Sequence, residues 1–314
     1  MTPADLTRRT LVAGAGGLLA PAGFARAEAA SDCAFLVVGD WGRRGNATQR
    51  AVAAQMARRA RSLNSNFVVT VGDNFYTSGV RSLESAHWRQ SFLDVYDMDA
   101  LPIWYPALGN HDYLGDPDIQ VAYAELSAHW RMPSRYYRKT VIAGPDCTID
   151  LFILDTYPIA DPEGHRRPAA EVRAQWNWFD REAATSRADW KIVFGHHPLR
   201  TSGWQAREYP YLRRWLAPRL ELYNVQAYVA GHDHHLEHIQ ARGVAHIITG
   251  GGAEGEPLAA KKVRGHRQGW ATPGFTSFQV AGDVMTVTFI DAKGRDLGAA
   301  RIDKRSGRSG LDHS

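Results

Sequence analysis

Five apolar runs in this 314-residue chain end alike, in a glycine followed by a side chain able to bind a metal ion. The pairs are Gly39-Asp40, Gly72-Asp73, Gly109-Asn110, Gly195-His196 and Gly231-His232. Amphipathic stretches separate the runs, and helices are predicted at 47–61, 84–97 and 169–185. Residues 275–280 and 283–290 have the alternating pattern of a closing hairpin. Alternating strands and helices predict a layered α/β fold in which helices cover the faces of a sheet.

The positions of the five pairs predict a metal site. Strands joined by helical crossovers have their carboxyl ends along one edge of a sheet, so we expect the five side chains to meet there. Any one pair is an ordinary turn sequence, but five such strand ends are not expected by chance. Carboxylate, amide and imidazole ligands without thiolate favour iron, manganese or zinc, and there are too many for one tetrahedral ion. Two ions bridged by a carboxylate fit better, and such a pair clamps a phosphate group.

Sequence blocks around these pairs resemble the five motifs of the purple acid phosphatases, most of all the small animal-type, tartrate-resistant members. The blocks are Gly39-Asp-Trp-Gly42, Gly72-Asp-Asn-Phe-Tyr76, Gly109-Asn-His-Asp112, Gly195-His-His-Pro198 and Gly231-His-Asp-His234. Their order and spacing match, and the resemblance extends over residues 34–302. The wider calcineurin-like metallophosphoesterase superfamily shares most of these blocks but not the tyrosine, so Tyr76 is the most discriminating residue.

The resemblance implies a fold and a set of metal ligands. The implied fold is a metallophosphoesterase-type four-layer sandwich, two mixed β-sheets flanked by helices, formed by a single domain over residues 28–303. Fe(III) would be bound by Asp40, Asp73, Tyr76 and His234. A second divalent metal, Fe(II), Zn or Mn, would share Asp73 and be bound by Asn110, His196 and His232. In an extended segment His232 and His234 would point the same way, with Asp233 pointing away.

Two further histidines are candidate catalytic residues. His111 is expected to face the bound phosphate, where it hydrogen-bonds the ester or protonates the leaving oxygen, and Asp112 is a candidate to orient it. His197 stands where animal-type enzymes usually have tyrosine, so substrate contact, an effect on the pH optimum and simple packing are all open. The resemblance implies an acid phosphatase acting on small anionic phosphomonoesters by attack of a metal-bound hydroxide. The alternatives are a phosphodiesterase or nucleotidase with the same metal site, and a non-catalytic metal-binding protein.

Residues 1–27 have the pattern of an export signal. Arg8-Arg9 precedes a short run rich in Gly, Ala and Leu, which ends at Ala25-Arg26-Ala27. This pattern indicates the twin-arginine route and a periplasmic or secreted protein with no membrane anchor after cleavage. The polar tail, 304–314, is predicted to be disordered. A net charge of +4, without a cluster of Lys and Arg, argues against nucleic acid as a specific partner.

The chain contains two cysteines, Cys33 and Cys147, each a few residues before a strand-end aspartate, Asp40 or Asp155. If the two strands are neighbours, the thiols are able to form a disulfide, which an exported protein would retain. The alternative is that both are small buried hydrophobic side chains.

Overall fold

The computed structural model describes four ranges of the chain, 33–145, 147–160, 169–203 and 209–304. The predicted export signal and residues 305–314 of the predicted tail lie outside them. The strands are β1 (Cys33–Val38), β2 (Phe67–Val71), β3 (Trp104–Ala107), β4 (Tyr137–Gly144), β5 (Cys147–Ile153), β6 (Trp190–Phe194), β7 (Ala227–Ala230), β8 (Leu236–Ala241), β9 (Val244–Thr249), β10 (His266–Trp270), β11 (Gly274–Ala281), β12 (Val284–Asp291) and β13 (Asp296–Asp303). The helices are α1 (Ala47–Leu63), α2 (Pro117–Tyr123), α3 (Tyr157–Ala160), α4 (Ala169–Thr185) and α5 (Pro210–Leu222), with a π-helical segment, Trp88–Leu93, and a 3₁₀ turn, Asp112–Leu114.

The strands form two mixed sheets. The first has six strands in the order β13-β12-β11-β1-β2-β3, in which β1, β2 and β3 are parallel and the other pairings are antiparallel. The second has seven strands in the order β10-β8-β9-β7-β6-β5-β4, in which β5, β6, β7 and β9 are parallel. Helix α1 connects β1 to β2, and α5 connects β6 to β7, as parallel pairing requires.

Burial along β6 shows how the layers are arranged. Trp190, Ile192 and Phe194 belong to a core that contains side chains from both sheets. Val193 points the other way, into a second core that includes residues of α4 and α5. Helix α1 packs on the first sheet against β1 and β11. The predicted four-layer α/β sandwich of two mixed sheets flanked by helices is therefore confirmed.

The start of α1 is tied to the loop that follows β1. Asn46 caps the helix, since its Oδ1 accepts a hydrogen bond from the N–H of Gln49 at 2.7 Å. The Gln49 side chain is buried, and its Oε1 accepts from the backbone N–H of Arg43 at 3.1 Å. Gln49 thus joins the helix cap through its backbone N–H and holds the backbone three residues after Asp40 through its side chain.

The helix predicted over 84–97 is wrong in extent, because only Trp88–Leu93 is helical, with π-type geometry. The rings of Trp88 and Phe92 lie 5.4 and 5.2 Å from the ring of Trp130, in a buried aromatic cluster. The side chain of Asp97 then accepts a hydrogen bond from the N–H of Ala100 at 3.1 Å, which turns the chain. Aromatic packing and this turn override the local helical spacing.

Four strands, β4, β8, β10 and β13, carry no apolar signal that predicts them. Strand β4 lies at a sheet edge and exposes Arg138, Lys139 and Thr140. Strand β8 is buried but contains Glu237 and His238, whose polar side chains interrupt an apolar pattern. Strand β13 extends the predicted hairpin, confirmed as β11 and β12, into three antiparallel strands.

The two cysteines begin strands in different sheets, Cys33 in β1 and Cys147 in β5. Their strands are therefore not neighbours, which was the condition for a disulfide. Both described side chains are buried thiols that no disulfide joins. The structure supports the alternative of two small buried hydrophobic residues.

Candidate metal centre

Two sheets, not one, supply the predicted ligands. Asp40, Asp73 and Asn110 follow β1, β2 and β3 of the first sheet, whereas His196 and His232 follow β6 and β7 of the second. The expectation of a single sheet edge is wrong because antiparallel pairing of β11 with β1 and of β4 with β5 separates the parallel strands into two groups. The two edges still meet, since the N–H of His232 donates to Asp40 Oδ2 at 2.9 Å.

Sharp backbone turns bring these side chains together. Asp40, Asp73 and His232 have left-handed backbones, with φ of 58°, 51° and 72°. Gly72, just before Asp73, has φ of 90°, and a Cβ there would lie 2.6 Å from Nδ1 of His196. Only glycine fits that position, so it permits the close approach of the two sheets at the site.

Asp40, Tyr76 and His234 form one cluster, which we name the tyrosine half. The Tyr76 hydroxyl lies 3.0 Å from Asp40 Oδ1 and 3.2 Å from Nε2 of His234. Nε2 of His234 is 3.4 Å from the same Asp40 oxygen. The segment that carries His232 and His234 is a bend rather than extended strand, so its backbone differs from the expectation although both rings reach the site.

Asn110, His196 and His232 form a second cluster, which we name the amide half. Asn110 Oδ1 lies 3.0 Å from Nε2 of His196 and 3.0 Å from Nδ1 of His232. The two imidazole nitrogens are 3.2 Å apart. Three lone-pair donors at such mutual distances have the spacing of ligands that share one ion.

Asp73 lies between the two halves. Its Oδ2 is 2.8 Å from the Tyr76 hydroxyl and 3.5 Å from Nε2 of His196. Its Oδ1 accepts a hydrogen bond from the backbone N–H of His111 at 2.7 Å, which fixes the carboxylate in place. The structure thus brings together all the predicted metal ligands, Asp40, Asp73, Tyr76, Asn110, His196, His232 and His234.

Electrostatics at the centre favour a bound cation. Burial alone would raise the pKa of the Asp73 carboxyl, but the neighbouring His196 holds it well below its usual range. Burial and the carboxylates of Asp40 and Asp73 raise the pKa of Tyr76 well above its usual value. Burial and the adjacent His196 lower the pKa of His232 to about 3. A phenolate beside two carboxylates therefore needs positive charge between them, and His232 is a neutral lone-pair donor.

The outer nitrogens of the three histidines face polar groups of the protein, which leaves the inner nitrogens for metal. The outer nitrogen of His196 hydrogen-bonds the Val71 carbonyl at 2.8 Å, that of His232 hydrogen-bonds the Tyr209 hydroxyl at 2.7 Å, and that of His234 lies at ion-pair distance, 3.4 Å, from the Glu256 carboxylate. Within the described ranges, the ion-pair partners of Asp40 and Asp73 are all histidines. Buried carboxylates without Lys or Arg partners, with oriented imidazoles and a phenol, fit a pair of metal ions.

His111 lies beside the predicted metal ligands and is partly accessible. Its Nδ1 donates to the carbonyl of Thr77 at 2.7 Å, so Nε2 is the nitrogen 4.0 Å from Asp73 Oδ2. The side chain is 32% exposed, which leaves it open to a substrate. Asp112 does not orient this ring. It is buried and accepts from the backbone N–H of Gly109 at 2.9 Å, so it shapes the loop instead.

His197 is buried behind the amide half. Its Nδ1 lies 2.9 Å from the Thr156 hydroxyl, and its ring centroid is 4.8 Å from that of His232 and 4.6 Å from that of Tyr209. Burial and the neighbouring His232 lower the pKa of His197 well below its usual value. A neutral, enclosed imidazole supports the packing alternative over direct substrate contact.

The five motif blocks do not include three residues that support the predicted ligands, Thr156, Tyr209 and Arg43. The Thr156 hydroxyl accepts from the backbone N–H of both His196 and His197, each at 3.1 Å. A signal for Thr156 existed, since it follows the strand end at Asp155 in a strand that pairs with β6. Tyr209 and Arg43 lie outside any motif block, and only the folded chain shows their contacts.

Comparisons with known proteins agree with this geometry. The calcineurin-like phosphoesterase family matches residues 34–236. Human tartrate-resistant acid phosphatase type 5 is 32% identical over 301 residues, which cover 87% of this chain and 91% of that protein. Purple acid phosphatase 7 of Arabidopsis thaliana is 32% identical over 294 residues, which cover 87% of this chain and 86% of the plant protein.

Solved structures share the fold. One, described as GAP50, the anchor in the inner membrane complex of Plasmodium, has a TM-score of 0.80 at 22% identity and covers 87% of this chain and 89% of its own. Purple acid phosphatase PPD1 from yellow lupin has a TM-score of 0.63 at 14% identity, covering 86% and 53%. These likenesses show the fold alone, whereas the sequence relatives extend over most of the chain. The chain therefore belongs to the calcineurin-like phosphoesterases and, within them, to the purple acid phosphatases.

Proposed function

We propose that this acid phosphatase hydrolyses small phosphomonoesters with two metal ions, Fe(III) in the tyrosine half and Fe(II), Zn or Mn in the amide half. The observation that carries the proposal is the place of Asp73, whose Oδ2 lies 2.8 Å from the Tyr76 hydroxyl and 3.5 Å from Nε2 of His196. One carboxylate oxygen within reach of donors on both sides is what a bridging ligand requires. The proposed ligands are Asp40, Asp73, Tyr76, Asn110, His196, His232 and His234.

The charge of each half supports this assignment of the ions. In the tyrosine half a carboxylate and an ionisable phenol lie within 3.0 Å of each other, so the more highly charged ion balances them best. The amide half contributes a neutral amide oxygen and two imidazoles, which suit a divalent ion. Asp73 adds one negative charge that both ions share.

The residues of the chain have distinct tasks in the proposed reaction. Two metal ions, when bound, polarise the phosphate and activate the attacking water. Nε2 of His111 supplies the proton to the leaving oxygen, because Nδ1 is occupied in donating a hydrogen bond to the Thr77 carbonyl. The rings of His197 and Tyr209 pack against the ring of His232, and the buried His197 ring excludes water from that side.

Metal analysis together with a visible spectrum tests the assignment. We expect two metal ions per chain, at least one of them iron, and a tyrosinate-to-iron absorption band. Tyr76→Phe removes the band, whereas the matched variant Tyr211→Phe, at an exposed tyrosine on α5, retains it. A purified wild-type protein that turns over phosphate esters without iron and without colour would overturn the assignment.

Substrate class is tested by comparing p-nitrophenyl phosphate with bis(p-nitrophenyl) phosphate. The proposal predicts faster turnover of the monoester, and a preference for the diester would favour the phosphodiesterase alternative. A third reading is a non-catalytic metal-binding protein. That alternative predicts full metal content with no turnover of either ester.

Export by the twin-arginine route is a separate part of the proposal. Arg8-Arg9 and the rest of the predicted signal lie outside the described residues. No helix in the described ranges is both long and apolar enough to cross a bilayer. Replacing Arg8 and Arg9 with lysine should block export of the folded protein, and unchanged export would contradict the proposed route.

A further inference from the structure

An arginine outside the motif blocks stacks on the proposed tyrosine ligand. The guanidinium carbon of Arg43 lies 4.0 Å from the centroid of the Tyr76 ring. This distance is well within the range of a cation–π interaction, which strengthens as water is excluded. The Arg43 side chain is only 26% exposed, so the contact is largely sheltered from solvent.

A glutamate holds this guanidinium and connects it to a second ligand. Nη2 of Arg43 lies 2.5 Å from Oε2 of Glu254. The same carboxylate oxygen is 3.6 Å from Nδ1 of His234, the ring nitrogen that faces away from Tyr76. The Arg43–Glu254 pair therefore contacts two proposed ligands of the same ion, one through its cation and one through its anion.

Backbone packing sets the position of the stack. The carbonyl of Gly42 accepts a hydrogen bond from the N–H of Tyr76 at 2.8 Å. A Cβ on Gly42 would lie 1.8 Å from the carbonyl oxygen of Asn74, so the two loops are pressed together at a point where only glycine fits. Gln49 holds the N–H of Arg43 at 3.1 Å. These contacts hold the backbone of Arg43 in place directly beside Tyr76, so the arginine side chain begins at a fixed point next to the tyrosine ring.

We propose that Arg43, held by Glu254, is a positioning residue for the metal centre: its guanidinium keeps the Tyr76 ring in place and stabilises the negative charge on that ring. Arginine suits this task because its charge is permanent and its planar group stacks on an aromatic face. The inference rests on the proposed ligation of iron by Tyr76. It adds a charged pair that tunes one half of the centre and does not contact the other half.

The wavelength of the tyrosinate-to-iron band depends on the charge of the Arg43 guanidinium above the Tyr76 ring. Arg43→Gln removes the positive charge above the ring, raises the energy of the electron donor and shifts the band to longer wavelength by roughly 10–20 nm. Glu254→Gln retains a hydrogen-bond acceptor for the guanidinium but removes the compensating negative charge, so its band shifts to shorter wavelength. A purely structural role would not produce shifts of opposite sign.

Arg44→Gln is the matched control. Arg44 is the next residue and is exposed, and its guanidinium donates a hydrogen bond to the Gln90 side chain rather than contacting Tyr76 or Glu254. Its band should stay at the wild-type wavelength, and metal analysis should give the same iron content in every variant. An unshifted band in Arg43→Gln, or equal shifts in Arg43→Gln and Arg44→Gln, overturns the positioning role alone. Absence of a band in the wild type overturns the iron ligation and with it this inference.

Discussion

The two halves of the candidate metal centre share a carboxylate yet differ in charge and surroundings. The tyrosine half is anionic and open at one side, where Glu254 is 48% exposed beside His234. The amide half has no carboxylate or phenol of its own and is enclosed, with the buried His197 behind it. Although burial opposes it, the Asp40 hydrogen bond raises the pKa of His234, whereas burial and His196 lower the pKa of His232 to about 3.

This difference shows where the asymmetry originates. Both halves draw ligands from both sheets, since Asp40 and Asn110 come from the first and His234 and His232 from the second. Neither sheet alone supplies all the side chains of either half, so both halves form only when the two sheets pack together. The asymmetry between the halves comes from loop residues, with Tyr76 and its charged neighbours on one side and the Asn110 amide on the other.

Asp73→Ala gives the largest expected effect because it removes the group that both halves share. We expect loss of both metal ions and a fall in turnover of about 10³-fold or more, since two metal ions contribute several kcal/mol to such a reaction. Metal analysis and p-nitrophenyl phosphate turnover measure the two effects. The exposed Asp94→Ala is the control and should match the wild type. Loss of only one metal would show that Asp73 does not bridge.

Asn110→Ala tests whether the halves are separable. The variant removes the amide oxygen 3.0 Å from both His196 and His232 but leaves the tyrosine half intact. We expect loss of the divalent ion, retention of the visible band, and turnover reduced by about 10²–10³-fold. The spectrum and the metal content are measured on the same sample. Loss of colour along with the divalent ion would show that the centre assembles as one unit.

Much of this centre is predictable from the sequence. Apolar runs predict strands β1, β2, β6 and β9 nearly to their bounds. Each strand is buried on both faces, so its own residues form a continuous apolar pattern. The strand-end ligands follow from glycine-containing turns at fixed positions. The helix Ala169–Thr185 agrees with its predicted range, since its apolar residues have clear helical spacing.

Other features depend on contacts that local patterns do not encode. Division of the strands into two sheets depends on pairing of Cys33 with Val280, residues from opposite ends of the described chain. Burial of His197 depends on Tyr209 and Thr156, which approach it from separate segments. The sequence predicts which side chains meet at the candidate centre, and tertiary packing decides what surrounds them.

His111→Asn separates proton transfer from metal binding. Asparagine is able to keep a hydrogen bond to the Thr77 carbonyl but has no group that protonates a leaving alkoxide. We expect kcat to fall by about 10²-fold or more, with both metals and the visible band retained. Since a good leaving group needs less assistance, the loss should be larger for an alkyl phosphate than for p-nitrophenyl phosphate. Equal losses for both esters would argue against the acid role.

Asp155→Asn tests a contact between the two sheets. Asp155, after β5, accepts a hydrogen bond from Tyr113, which lies in the turn after His111. Burial, opposed by Tyr113 and Arg135, raises the pKa of Asp155 to about 7. The native protein therefore holds a proton that the unfolded chain releases near pH 4, so the free energy of unfolding falls between about pH 4 and 7, by about 2–4 kcal/mol from this group.

Asparagine imitates the protonated form of Asp155, so this part of the pH dependence should disappear in the variant. Urea unfolding at pH 5 and at pH 7.5 measures it, with the exposed Asp94→Asn as control. An unchanged difference between the two pH values would show that Asp155 is ionised in the native protein throughout this range.

Tyr209→Phe gives the smallest expected effect and the most selective one. Phenylalanine keeps the ring that packs 4.6 Å from His197 but removes the hydroxyl 2.7 Å from Nε2 of His232. His232 then loses the acceptor that orients its ring, and the amide half should bind its divalent ion about 10-fold more weakly. Titration of apo-enzyme with that ion measures the change, with Tyr211→Phe as control. Because Tyr209 acts on His232 and not on Tyr76, the visible band should not move, and a shifted band with unchanged divalent affinity would reverse the assignment of Tyr209 to the amide half.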